Sequence, residues 1–279
     1  MPKIGAHVSA AGGVQYAPLN AHQEGCECFQ FFSRPPQGGP APILTKEIIQ
    51  QFQASCRLYK LESYIHAPYY INLASLNSRI KYGSIQVIRE ELERGSLLGV
   101  KYVLTHLGSA KDYRRERTSA FRTEAIKEVV KSLQKVLTEY HGKTEFLIEN
   151  SAGSGEIIGA DFKEIKKILV SLKKFKVGVC LDVMHAFASG YQPLEVIKKF
   201  DVEIGLSYLK LIHANDAKSK LGSRIDRHEN IGLGAIGTKN FSLWLKNKKL
   251  KKINFILETP AEHREQDLAV LKHLRESEK

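Results

Sequence analysis

The chain has 279 residues, with 42 Lys+Arg against 30 Asp+Glu, a formal net charge of +12 and a pI of about 9.4. That length admits two small domains or one (β/α)8 barrel of about 250 residues, and the charge favours a polyanionic partner, nucleic acid or an acidic membrane surface. No segment approaches about 18 uninterrupted apolar residues, which excludes a transmembrane helix.

Short apolar or β-branched runs, each stopping at a polar residue, recur along the chain. The first is "KIGAHV" from Lys3, after which Pro18 interrupts any helix. "CFQFF" from Cys28 leads into "SRPPQGGPAP" from Ser33, too rich in Pro and Gly for helix or central strand. Ile48, Ile49, Phe52, Cys56 and Tyr59 share one helical face ahead of "SYIH" from Ser63 and "YVLTH" from Tyr102. A second face, Ile126, Val129, Val130, Leu133, Leu137 and Tyr140, precedes "EFLIE" from Glu145. A third, Phe162, Ile165, Ile168, Leu169 and Leu172, precedes "VGVCLD" from Val177. Pro193 suits the first turn of the next helix. "YLKLIH" from Tyr208 and "NFILE" from Asn254 follow, and Leu268, Leu271 and Leu274 suggest a closing helix.

The eight runs are too short for helices and not cleanly alternating, which suits parallel strands buried on both faces. Eight β-then-α units predict an α/β fold, a single (β/α)8 TIM barrel over residues 1–279. Long loops are expected after the second, third, fourth and seventh strands, on the carboxyl-terminal face where barrel active sites are built. Cys26, Cys28, Cys56 and Cys180 lie in apolar segments without a disulfide-framework spacing, and "MPKIGAHVSA" lacks the apolar core of a signal peptide. A reduced, cytoplasmic protein is expected.

The residue that ends each strand carries the chemistry. His66, His106, Glu149, Asp182, His213 and Glu258 end the third to eighth runs, and His7 lies near the end of the first. A closed barrel brings these ends to one face. A single histidine there is more often a hydrogen-bonded structural residue than a ligand, but six convergent metal-type residues need charge compensation that a divalent cation supplies. His185 lies one turn past Asp182, and "GSRIDRHENIGLG" adds Asp226-x-His228, a pair that faces one side of an extended segment. His plus carboxylate without a necessary Cys suits zinc, manganese or iron in a catalytic site. Nine candidates at about four positions per ion imply two or three metals sharing a carboxylate bridge. Such a pocket in a basic protein points to phosphoester hydrolysis.

Lys218, Arg224 and Arg227 adjoin these candidates and are suited to phosphate contacts. Tyr69 and Tyr70 follow His66; one can stack on or wedge into a nucleic acid, while core packing fits the other. "KKILVSLKKFK" from Lys166 and "KNKKLKK" from Lys246 read as solvated ends of outer helices, Cys26-x-Cys28 as core, and "SAGSGEIIG" lacks the Lys-Ser/Thr of a phosphate loop.

"IGAHVSAAGG", "HAPYYINLAS", "THLGS", "IENSAG", "GVCLDVMHAFASGY", "HANDAK", "GSRIDRHENIG" and "ILETP" together resemble the endonuclease IV family of apurinic/apyrimidinic (AP) endonucleases, in order from Ile4 to about Pro260. The resemblance implies a TIM barrel with three zinc ions, Mn2+ being an alternative occupant. It also implies monomeric action on double-stranded DNA at abasic sites, with no membrane association. His66, His106 and Glu149 would hold one ion; Glu149 would bridge to a second held by Asp182, His213 and Glu258; His185, Asp226 and His228 would hold the third. It implies hydrolysis 5′ to an abasic site, leaving a 3′-hydroxyl and a 5′-deoxyribose phosphate, with trimming of blocked 3′ ends. Glu149 would orient or deprotonate the attacking water, and Tyr69 and Arg227 would contact DNA.

The sequence departs from the family pattern in three places. Gln37, Gly38 and Gly39 replace an Arg and Trp region that supplies a side chain inserted into DNA, although Arg34 is kept. Val183-Met184 stands for Thr-Cys, and Leu233 for Glu. Two other readings compete: a divalent-metal sugar isomerase or epimerase on a related barrel, which gives Asp226-x-His228 no role, and a catalytically weak DNA-damage-binding protein, suggested by the altered loop.

Overall fold

Each of the eight apolar runs forms a strand of one closed barrel. The computed structural model describes residues 1–114 and 120–277. The barrel strands are β1 (Ile4–His7), β2 (Cys28–Phe31), β3 (Glu62–His66), β4 (Tyr102–Thr105), β5 (Glu145–Glu149), β6 (Val177–Asp182), β7 (Leu209–His213) and β10 (Asn254–Leu257). All pair in parallel, in the order β1-β10-β7-β6-β5-β4-β3-β2. Between β7 and β10 the chain makes an antiparallel two-residue ribbon, β8 (Asp216–Ala217) with β9 (His228–Glu229).

The helices are α1 (Ala17–Gln23), α2 (Lys46–Leu58), α3 (Ser78–Leu98), α4 (Lys111–Arg114), α5 (Phe121–Thr138), α6 (Phe162–Ser171), α7 (Val183–Ala188), α8 (Val196–Glu203), α9 (Thr238–Leu245) and α10 (Arg264–Glu276). Thr45, Asn77 and Asp161 cap α2, α3 and α6 by accepting backbone N–H bonds. Two expectations are corrected. Pro18 does not prevent a helix: it sits in the first turn of α1, where its missing N–H has no intrahelical partner to lose. Pro193 lies in the turn ahead of α8 rather than inside its first turn, because the short α7 directly follows β6.

The core has two layers. Between strands and helices lies a large apolar cluster containing Phe29, Phe31, Phe52, Phe146, Phe162, Phe200, Phe241 and Phe255. Inside the barrel a smaller one contains Cys28, Tyr64, Tyr102, Leu104, Leu147, Cys180, Leu211 and Ile256. Successive strand residues point to opposite faces, so one residue type fills the inner layer and its neighbour the outer. Both positions are apolar, which is why the sequence shows runs rather than alternation. At Gly5, where β1 meets β2, an added Cβ would stand 1.6 Å from the Cys28 carbonyl oxygen, so only glycine lets the barrel close there.

The loop after β2 is fixed at both ends by α3. Glu91, fully buried, accepts from Arg34 Nε (2.5 Å) and Ser33 Oγ (2.6 Å). Arg94 donates to Ser33 Oγ (2.7 Å), to the Ser33 carbonyl (2.8 Å) and to the Pro42 carbonyl (2.8 Å). Arg34 also reaches Glu90 at 2.7 Å, and its side chain is only 4% exposed. Arg34 therefore anchors the loop from inside. Removing Glu91 would leave two guanidinium groups buried with their shared counter-charge gone. Glu91→Ala is expected to cost about 3 kcal/mol of stability, measured as a lower denaturant midpoint at unchanged slope; a midpoint equal to the parent's would show the cluster to be neutral.

Candidate metal centre

The strand pleat builds the site. Counting two residues on from the inner layer gives Gln30 above Cys28, His66 above Tyr64, His106 above Leu104, Glu149 above Leu147, Asp182 above Cys180, His213 above Leu211 and Glu258 above Ile256. One further inward layer of the barrel is thus polar, at the carboxyl end of the strands. Asp182 and His213 are direct register partners.

Asp182 also caps α7. Its Oδ1 accepts the His185 backbone N–H at 2.8 Å, while Oδ2 faces the other candidate ligands. The Asp-x-x-His spacing is therefore a helix N-cap whose third residue turns an imidazole into the same space. Asp226 and His228 arrive on the ribbon excursion, held by a second carboxylate. Asp216, fully buried, accepts backbone N–H bonds from Ala217 (2.8 Å), Gly232 (2.9 Å) and Ile236 (2.8 Å). Gly234 is required there: a Cβ would lie 2.5 Å from Asp216 Oδ1.

Four imidazoles are each fixed through one ring nitrogen by an oxygen that can only accept. His66 Nδ1 donates to the Ala67 carbonyl (2.6 Å), His185 Nδ1 to the Asn150 carbonyl (3.1 Å) and His228 Nδ1 to the Glu258 carbonyl (3.1 Å). His213 Nε2 donates to Gln30 Oε1 (2.9 Å); the Gln30 amide is oriented by its Nε2 donating to Glu258 Oε1 at 2.6 Å. The opposite nitrogen of each ring is left facing carboxylates. His66 Nε2 lies 3.0 Å and His106 Nε2 3.5 Å from Glu149 Oε2. His213 Nδ1 lies 2.9 Å from Glu149 Oε1, 3.2 Å from Glu258 Oε2 and 3.8 Å from Asp182 Oδ2. His185 Nε2 and His228 Nε2 lie 3.2 Å and 3.6 Å from Asp226 Oδ1.

Charge is concentrated here. Burial opposes ionisation of Glu149, but His106 and His213 outweigh it and hold its carboxyl well below the ordinary range. Glu258 is likewise held well below, His213 overcoming burial. Burial works against protonation of His185, yet Asp182 and Asp226 push its pKa up to about 10. His66 and His213 are also raised, burial being outweighed by Glu149 for the first and by Cys180, Glu258 and Glu149 for the second. For His106 burial wins and the pKa falls.

Among the described residues, three sets of donor atoms are close enough to hold ions: His66, His106 and Glu149; Glu149, Asp182, His213 and Glu258; and Asp182, His185 and His228. Asp226 Oδ1, outside that set, lies 3.2 Å from His185 Nε2 and 3.6 Å from His228 Nε2, so it can serve the same imidazoles. The fit to divalent metals rests on the rings themselves. Among the described residues, buried His185 Nε2 and His228 Nε2 have no hydrogen-bond partner and converge on one carboxylate oxygen, while the anchored Nδ1 atoms decide that the deprotonated ring offers its Nε2 lone pair to a cation.

His66, His106, His185, Asp226, His228 and Glu258 line a cavity of about 450 Å³ together with His7, Tyr69 and Arg264, and Glu149, Asp182 and His213 join them through the shared donor sets. Tyr69 and Tyr70 are 65% and 39% exposed, so neither packs in the core; Tyr69 stands edge-on to Phe32 at 5.2 Å. Arg227 is exposed on the ribbon excursion, as is Arg224, while Lys218 lies 3.8 Å from Glu229. A second cleft of about 680 Å³, between the loops after β1 and β2, shares His7 and Arg264 with the cavity. Sequence reasoning missed Gln30, Asn150 and Asn215. Asn215 Nδ2 donates to Asp182 Oδ2 (2.7 Å), and its Oδ1 accepts from the Glu258 backbone (2.7 Å). The available signal was an amide inside the apolar "CFQFF", a polar group that burial obliges to find partners.

The family model for a xylose isomerase-like TIM barrel matches residues 19–277. A probable endonuclease 4 of Aquifex aeolicus is 39% identical over 270 residues, covering 94% of this chain and 93% of that protein. Apurinic-apyrimidinic endonuclease 1 of Plasmodium falciparum is 35% identical over 92% of this chain and 44% of its own length. The crystal structure of endonuclease IV from Thermus thermophilus superposes with a TM-score of 0.86 at 31% identity, covering 98% of both chains.

Imidazoles must be deprotonated to bind a metal. His185, its pKa pushed up to about 10 by Asp182 and Asp226, carries its proton at neutral pH, so a cation entering this set displaces it. Adding Zn2+ to chelator-stripped protein at neutral pH is expected to release protons, with apparent affinity rising as pH rises. Titration calorimetry in two buffers of different ionisation enthalpy reads this directly; identical heats in both would show that the histidines are not protonated.

Proposed function

Because the chain belongs to the endonuclease IV family, DNA-cleaving hydrolases of DNA repair, we propose that it incises double-stranded DNA 5′ to abasic sites with three bound zinc ions. The observation that carries this reading is the convergence of His185 Nε2, His228 Nε2 and Asp226 Oδ1 into a third donor set beside the two that share Glu149. His66, His106 and Glu149 would hold one ion, Glu149, Asp182, His213 and Glu258 a second, and His185, Asp226 and His228 the third. Mn2+ fits the same N/O donors at one or more positions. When bound, such ions polarise phosphoryl oxygens and lower the pKa of water.

The protein's own groups do the rest. Glu149, kept ionised and fully buried, orients the attacking water and accepts its proton. Water oxygen bonds to phosphorus as the P–O3′ bond breaks, and the departing oxygen takes up a proton. The products are a 3′-hydroxyl and a 5′-deoxyribose phosphate, and the same displacement removes blocking groups from 3′ ends. Tyr69, at the cavity rim, stacks on the nucleic acid; Arg227 meets its backbone. The cleft of about 680 Å³ gives room for the sugar and its neighbour beside the reacting phosphate. Action as a monomer in the cytoplasm belongs to the same reading. No helix among the described residues is long and apolar enough to cross a membrane.

A duplex oligonucleotide carrying one abasic site, treated with zinc-loaded protein, is expected to be cut 5′ to the site with a 3′-hydroxyl end. Tight binding without cutting, at three bound zincs, would instead make this a damage-binding protein. Glu149→Gln should lower turnover by roughly 10³-fold or more with the fold intact; activity within a few-fold of the parent would remove Glu149 from the chemistry. His228→Ala should reduce bound zinc, counted by elemental analysis, together with rate; an unchanged zinc count would detach the ribbon from the metals.

A further inference from the structure

The metal centre occupies the carboxyl end of the strands, yet a group of lysines lies at the other end. The segments entering β5, β6 and β10 carry Lys143, Lys174, Lys176, Lys251 and Lys252, and Lys210 lies near the start of β7. These four strands are consecutive around the barrel, so the lysines form one arc. At about 4.8 Å between strands the arc is roughly 15 Å long, enough to face about four phosphates of one DNA strand.

Lys143, Lys174 and Lys176 line a single cleft of about 440 Å³ with Tyr140 and Phe175. Among the described residues, Glu145 is the one carboxylate residue lining it. Some lysines on other faces are neutralised, as in Lys81–Glu128 at 2.6 Å and Lys127–Glu124 at 2.8 Å. Among the described residues none of Lys143, Lys174, Lys176, Lys251 and Lys252 has an ion-pair partner. The Lys210 stem is laid across β6 by a gap in the side-chain layer: a Cβ on Gly178 would stand 2.5 Å from its Cγ. Unpaired like charges gathered on one surface repel one another, and a polyanion relieves that repulsion while releasing its own counterions.

We propose that the amino-terminal end of the barrel is a second nucleic-acid surface, which grips the phosphate backbone of an undamaged duplex segment while the metal centre faces another. This goes beyond the reading of the metal centre, and it makes the protein a bridge between two DNA segments.

The test uses zinc-loaded full-length protein and the triple variant Lys143→Gln, Lys174→Gln, Lys176→Gln. With an undamaged duplex of about 30 base pairs, the variant's plot of log affinity against log salt should be shallower by about 2.7, the contribution of three phosphate contacts. The parent should retain a labelled duplex on beads that carry a second, biotinylated duplex, and the variant should lose that retention several-fold while its incision kcat stays within about two-fold of the parent. Equal salt slopes, or equal retention, would overturn the proposal. Lysine-dependent sedimentation with phosphatidylserine vesicles alongside an unchanged DNA slope would overturn it too, assigning the surface to a membrane. Incision is read on the same preparations. A protein that cuts without bridging defeats this proposal alone, and one that bridges without cutting defeats the reading of the metal centre alone.

Discussion

Glu149, Asp182 and Glu258 place three carboxyl groups in the mouth of a barrel, two of them with no solvent exposure at all. Carboxylates gathered out of water repel one another and lose hydration, so the fold is viable only if positive charge and hydrogen-bond donors are supplied on the spot. The surrounding architecture answers that demand. Imidazoles are interspersed with the carboxylates around the ring, Gln30 and Asn215 donate amide hydrogens to Glu258 and Asp182, and the α7 amino terminus donates to Asp182. A further cation would neutralise what these donors leave.

The anchoring of the imidazoles matters as much as their presence. A free histidine can offer either nitrogen in several rotamers, whereas here carbonyl and amide oxygens hold four rings by one nitrogen and decide which lone pair faces inward. The anchors come from the backbone of the loops after β3, β5 and β10, and from the side chain of Gln30 in β2. The geometry of the site is therefore a property of the barrel's carboxyl end as a whole. Asp216, which ties the ribbon down through backbone N–H groups, extends the same control to the excursion that carries Asp226 and His228.

Much of this was readable in the sequence. Each apolar run stops at a polar residue, and a closed parallel barrel has no freedom about which side the strand ends share, so His66, His106, Glu149, Asp182, His213 and Glu258 could be assembled from the strand ends alone. What could not be read has physical causes. Inner and outer positions of a strand buried on both faces are both apolar, so Leu147 and Phe146 look alike although one lies in the barrel and the other under helices. Pro18 looked like a helix breaker because its position within a turn, rather than its identity, decides its cost. The exposure of Tyr69 and Tyr70 together depends on how the loops after β2 and β3 lean on each other, where the Tyr69 backbone donates to the Pro36 carbonyl at 3.3 Å. Arg34 shows the limit of matching residue to residue: it keeps the family's arginine, but the side chain points inward to Glu91.

The clamp on the loop after β2 also separates what the molecule must keep from what it is free to revise. Ser33 and Pro42 are held by α3, and nothing lies within 4 Å of where a Cβ would be on Gly38 or Gly39. Their positive φ values of 128° and 110° strain any replacement locally, but no neighbour has to move. Between fixed ends, then, lies a stretch of surface whose wording can drift over generations without a compensating change in the barrel or its ring of charges. The departures from the family pattern at Gln37, Gly38 and Gly39 fall in that stretch. Such a partition lets the exposed surface change while the barrel and its ring of charges stay unaltered.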